Sequence, residues 1–187
     1  MKKKAVLILP LLCVFFLFGC DKAVNNGMLP SFSFDGSDNY TGFADLPANY
    51  TIEEAEADGY YVTEGVKAVA NIDVWDSFMK KTMGNKNASI RMVSFFKENT
   101  DGPYIKDLFY MDELYYCFDS SAEDQVKHPY QYLLTLEGKF GNPLKDSVII
   151  ILTDDNTMTF DIVIQSALSS DLSFKKSISP YKLIMIR

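Results

Sequence analysis

The chain has 187 residues, with 18 basic and 25 acidic side chains and a formal net charge of −7. Phosphate binding depends on clustered Lys and Arg, so this balance argues against nucleic acid as a partner. One histidine and three cysteines leave little room for zinc sites, histidine-dependent triads or a disulfide framework.

Lys2, Lys3 and Lys4 precede an apolar run from Ala5 to Gly19. At about 1.5 Å per helical residue the run reaches about 22 Å, short of the roughly 30 Å hydrocarbon core of a bilayer. Pro10 in its middle further weakens a permanent span. A positive start, a short oily run and a small residue at the break mark an export signal, expected over residues 1–19. The break itself, Leu17-Phe18-Gly19-Cys20, resembles the bacterial lipobox, with Phe18 bulkier than the residue usual at the second place. The resemblance implies cleavage between Gly19 and Cys20 and a diacylglycerol joined to the Cys20 thiol. Acyl chains contribute about 0.8 kcal/mol per buried CH₂, and two of them turn marginal adsorption into stable anchoring. The expected place is the extracytoplasmic face of the cell membrane, held by lipid on Cys20 without a spanning helix. Asp21 resembles the inner-membrane retention cue of lipoproteins in double-membrane bacteria. Loss of the three leader lysines takes the 18 basic residues to 15 against 25 acidic ones, a net charge of −10 for residues 20–187. Anionic lipid repels such a body, so adhesion is expected to rest on the acyl chains.

Residues 21–50 are rich in Asn, Asp, Gly, Ser and Pro, without a sustained period, and are expected to form a flexible tether with the lipidated cysteine at position 20. A coil of that length would hold a domain roughly 30 Å from the bilayer. Asp35–Asn39 (DGSDN) lacks the downstream glutamate of a calcium loop and is expected to be a solvated turn.

A single domain is expected over residues 51–187. Thr51-Ile52-Glu53-Glu54 is a capping box opening a short helix that Gly59 ends, and Tyr60 to Thr63 follow as a strand. A second helix is capped by Asn71 or Asp73, shows Val74, Trp75, Phe78, Met79 and Thr82 on one face, and stops at Gly84. Six further strands are expected at Ile90–Lys97, Tyr104–Met111, Leu114–Asp119, Tyr130–Phe140, Ser147–Thr153 and Thr157–Gln165, with Tyr181–Ile186 closing the chain. Short polar links favour hairpins, so the expected fold is α+β: an antiparallel meander of about six to seven strands with both N-terminal helices on one face. Ser147–Leu152 (SVIIIL) is nearly all apolar and should be a central strand.

Five stretches, TIEEAEADGYYVTEG, NIDVWDSFM, SIRMVSFFKENTDGPYIKDLFY, YCFDSSAED and YQYLLTLEGKFGN, resemble a domain of unknown function found in lipoproteins of Gram-positive bacteria. The resemblance spans most of residues 51–141 and implies a tethered extracytoplasmic domain. It supplies no catalytic residue.

Chemistry-bearing residues are few. His128 precedes Pro129 in a polar link, and Cys117 alternates with Tyr116 and Phe118 on a strand without a basic neighbour to activate it. Glycosidase chemistry needs two carboxylates, for which Asp154-Asp155, Asp112-Glu113 and Glu53-Glu54-Glu56 are candidates. No phosphate loop, GxSxG or HExxH motif is present, so no catalytic residue, metal or cofactor is expected. Eight tyrosines fall on expected strands, and half must face away from any core the others build. Tyr115 and Tyr61 are the candidate binding residues of an outward aromatic patch suited to a protein or glycan partner. The expected role is a non-enzymatic, membrane-tethered binding module, with an envelope glycan hydrolase as the alternative.

Overall fold

A computed structural model describes residues 29–47, 50–97 and 102–187. Gly19 and Cys20, the residues expected at the cleavage and lipidation site, lie outside the described residues. The fold is α+β, with eight strands in two sheets and four helices among the described residues.

The opening helix α1, Ile52–Ala57, carries the expected capping box: Thr51 Oγ1 accepts from Glu54 N–H while the Glu54 carboxylate accepts from Thr51 N–H. Strand β1, Tyr61–Glu64, turns back into β2, Lys67–Ala70, a short strand the sequence reading missed. Helix α2, Ile72–Met83, follows, and buries Trp75, Phe78 and Thr82. Asn71 stands at its N-cap position in the left-handed region, φ 51°, but its side chain makes no capping bond. Instead the amide donates to the carbonyls of Glu56 and Tyr60, tying the end of α1 to the start of α2. Three antiparallel strands then run in succession: β3 (Ala88–Phe95), β4 (Tyr104–Met111) and β5 (Leu114–Asp119). Asp112 and Glu113 join the last two with both φ positive, as a two-residue hairpin turn requires.

The expected meander is broken in two ways. First, β1 pairs with β3 in parallel, with α2 as the crossover, giving a five-stranded mixed sheet in the order β2-β1-β3-β4-β5. A parallel neighbour needs a long connection, and β2 with α2 supplies it. Second, β6 (Tyr132–Phe140), β7 (Lys145–Thr153) and β8 (Tyr181–Ile186) form a separate antiparallel sheet with β7 in the middle. The apolar run of β7 is central as expected, fully buried from Ile149 to Thr153.

The segment expected as a strand at Thr157–Gln165 is helical. It forms α3, Phe160–Leu168, followed by a short α4, Leu172–Ser177. Thr159 Oγ1 accepts from Ile162 N–H and Asp161 lies in the first turn, so capping overrides the β-branched composition. Phe160 lies directly on Gly138 of β6, where a Cβ would overlap the ring. Gly138 thus lets α3 close on the second sheet.

The two N-terminal helices lie on opposite faces of the five-stranded sheet. Trp75 and Phe78 of α2 pack with Ile90, Met92 and Leu108, and this cluster continues into Ile150, Leu152 and Ile184 of the second sheet. Ala55 of α1 packs with Val62, Val93 and Ile105, which alternate with the first set along their strands.

On the α1 face the rest of the surface is covered by residues from 31 to 46. Phe32, Phe34, Tyr40 and Phe43 pack on Phe109, Tyr116 and Phe118, with Tyr40 stacked on Phe118 at 4.0 Å. This strap belongs to the folded body, although its composition reads as coil. Its polar residues make a turn, in which Asp35 Oδ1 accepts from the N–H groups of Ser37 and Asn39, and its aromatics do the packing. DGSDN is thus a turn stapled by its own first residue.

Candidate functional site

With one sheet face covered by the strap and the other by α2 and the second sheet, a groove of about 420 Å³ lies beside β8. Two rungs of the five-stranded sheet form its floor. Tyr61, Met92, Lys106 and Asp119 are paired in turn across β1, β3, β4 and β5, and Thr63, Ser94 and Tyr104 make the next rung. Strand β8 stands over them and supplies the wall, from Leu183 to Ile186. Val66, Phe96, Tyr104, Leu183 and Ile186 form an apolar rim, each at least 37% exposed. Phe96 and Tyr104 meet edge to face at 5.6 Å.

The charged groups within the groove are already partnered. Lys106 Nζ donates to the carbonyls of Leu183 and Ile184 at 3.3 and 3.4 Å and lies 3.6 Å from Asp119 Oδ2. That ammonium caps carbonyls along the edge strand β8, which a neighbouring chain would otherwise be able to pair with. Burial pushes the Asp119 carboxyl up, but the hydroxyl and N–H of Ser121 and the charge of Lys106 outweigh it and hold it below the usual carboxylate range. Thr63 Oγ1 and Ser94 Oγ are 2.9 Å apart, and Tyr61 OH lies 4.0 Å from Met185 Sδ. With these groups satisfied internally, the space is suited to an apolar body rather than to a charged one.

The two tyrosines singled out by sequence separate here. Tyr61 is 4% exposed and forms part of the groove floor. Tyr115 exchanges two 2.9 Å backbone hydrogen bonds with Tyr130, packs on Tyr110 at 4.7 Å, and lies between the sheets away from the groove. No outward tyrosine face is present at Tyr115, because the second sheet covers that side and the strap covers Tyr116 on the other.

Comparison of the chain with protein-family models, with curated proteins and with solved structures gave no match.

The three carboxylate pairs fall on structural positions. Asp112-Glu113 is the β4–β5 turn, and Glu53 and Glu54 lie in the first turn of α1. In the third pair, Asp154 accepts from Gln131 N–H, while Asp155 accepts from Thr157 and Ser179. Among the groove-lining residues Asp119 is the one carboxylate. Cys117 is pushed up to about 12 by burial, which leaves a packed thiol rather than a nucleophile. His128 is exposed, with its ring edge to face on Tyr130 at 4.6 Å. Among the described residues no group of three His, Cys, Asp or Glu is placed to hold a metal ion, and no helix is long and apolar enough to cross a membrane.

Sequence reading missed Lys106, Asp119, Met92 and the β8 wall. Only the alternation of Tyr104, Lys106 and Leu108 along β4 hinted that a polar residue shares a face with core positions.

Proposed function

We propose that the chain is a lipid-anchored, non-enzymatic binding module outside the cell, and that the groove under β8 is its contact site. The observation that carries the reading is an apolar-rimmed concavity whose charged groups are already paired. The lipobox at Leu17–Cys20 and the resemblance of residues 51–141 to a lipoprotein domain support the location. Tyr61 stays in the site as part of its floor, and Tyr115 contributes by docking the second sheet. The glycan-hydrolase alternative needs a second acid facing Asp119, and an Asp119 held ionised is a poor proton donor.

The contact site is tested by Ser94→Trp, which fills the floor. Envelope extract is passed over the parent chain and over the variant, matched for melting temperature, and the retained molecules are compared by mass spectrometry. A ligand held only by the parent is the expected result, and identical retention removes the groove from the proposal. Anchoring is tested separately by Cys20→Ala, which should move the protein out of the membrane fraction.

A further inference from the structure

We propose that the tip of the β6–β7 hairpin, Lys139 to Asp146, is a membrane-contact element that places Phe140 and Leu144 in the lipid interface. The inference goes beyond the groove and does not depend on it.

The hairpin ends in the pairs Gly138–Ser147, Lys139–Asp146 and Phe140–Lys145. Gly138 is still covered by Phe160, but every residue from 139 to 146 is exposed. Phe140 is 40% and Leu144 69% exposed, on either side of Gly141, Asn142 and Pro143. These two side chains belong to none of the core clusters and are free to meet something outside the chain.

Charge indicates what that is. Residues 20–187 hold 25 acidic side chains against 15 basic ones and are repelled as a whole by anionic lipid, whereas residues 139–146 hold two lysines against one aspartate. Lys139 shares its charge with Asp146 at 3.9 Å, and Lys145 makes no ion pair among the described residues. An aromatic and a leucine flanked by lysines is the composition of an interfacial anchor, in which the rings and methyls enter the acyl boundary and the ammonium groups remain with phosphate. A protein partner fits less well. Eight residues on a narrow turn fall far short of the roughly 800 Å² per side that a stable protein interface buries, whereas a bilayer asks only for depth.

Residues 20–187 carrying Cys20→Ser keep every described residue and lack the lipid, so binding of this form to vesicles reports on the tip alone. Co-sedimentation with vesicles of phosphatidylglycerol and phosphatidylcholine at millimolar lipid should show binding that phosphatidylcholine alone does not support. Phe140→Ser with Leu144→Ser should lower it on the order of tenfold. Lys139→Gln with Lys145→Gln should lower it several-fold, by about fivefold per lysine at most. Ser94→Trp should bind as the parent does, which separates this result from any failure at the groove. No binding by the parent, or equal binding by the double serine variant, overturns the proposal. So does self-association that the serines abolish without vesicles, which would assign the tip to a second copy.

Discussion

Tyr40 donates a 2.6 Å hydrogen bond to Asp107, 67 positions away, and so fastens the strap to the sheet through a buried charge. Asp107 is fully buried and also accepts from Nε and Nη2 of Arg91 at 2.7 and 2.5 Å. The same guanidinium donates to the Gly42 carbonyl at 2.7 Å and lies over the rings of Phe43 and Tyr60. Three strap residues thus complete the coordination of one ion pair. A buried pair stabilises only when its remaining donors and acceptors are satisfied, and here the strap satisfies them.

Tyr40→Phe keeps the stack on Phe118 and removes the donor. It is expected to destabilise the fold by about 1–3 kcal/mol, the cost of leaving a buried charged acceptor short of one partner. Urea unfolding measures this directly. An unchanged midpoint would show that the phenol contributes packing alone.

Removing the strap should cost more than removing any single residue in it. A chain of residues 50–187 bares Phe109, Tyr116 and Phe118 together with the Arg91–Asp107 pair, and is expected to aggregate or melt well below residues 29–187. Differential scanning fluorimetry with light scattering distinguishes the two. Binding studies therefore need the strap, since a bared aromatic face would capture proteins without specificity.

The response to acid follows from Asp119. Its folded-state pKa lies below the ordinary value, so its stabilisation is complete above about pH 4 and is lost as the pH falls through the folded value. Asp119→Asn is expected to be less stable at neutral pH and to show a shallower fall in melting temperature between about pH 5 and pH 2. Parallel curves for variant and parent would remove Asp119 from the acid response.

Cys117 should be silent in the native state. In residues 20–187 with Cys20→Ser it is the sole thiol, and its pKa of about 12 leaves almost no thiolate at pH 8. Labelling by iodoacetamide is expected only after denaturant is added. Rapid native labelling would show a thiolate formed in the folded state.

The strands with local partners were legible in the sequence. Tyr104–Met111, Leu114–Asp119 and Tyr181–Ile186 stand at the expected bounds, and α1 was readable because its capping box lies within four residues. What escaped was set by distant contacts. The parallel pairing of β1 with β3 leaves no local mark, because it depends on how α2 folds back across the sheet. Residues 159–164 are rich in β-branched and aromatic side chains, and only the Thr159 cap and Asp161 argued for helix. In the strap the polar residues hid the aromatics, which have no period because a turn, not a strand, spaces them. Tyr115 was sorted to the wrong side since alternation says that two faces exist but not that both are covered.

Tight hairpins join β1 to β2, β4 to β5 and β6 to β7, and each can form as soon as its turn closes, whereas β8 reaches β7 only after α3 and α4. Joining β1 to β3 must instead wait for the whole crossover, and seating Tyr40 on Asp107 must wait longer still. Loop closure of that kind sets the pace of assembly. The molecule should therefore acquire its tight hairpins first and its strap last, with a late intermediate whose aromatic flank is still wet.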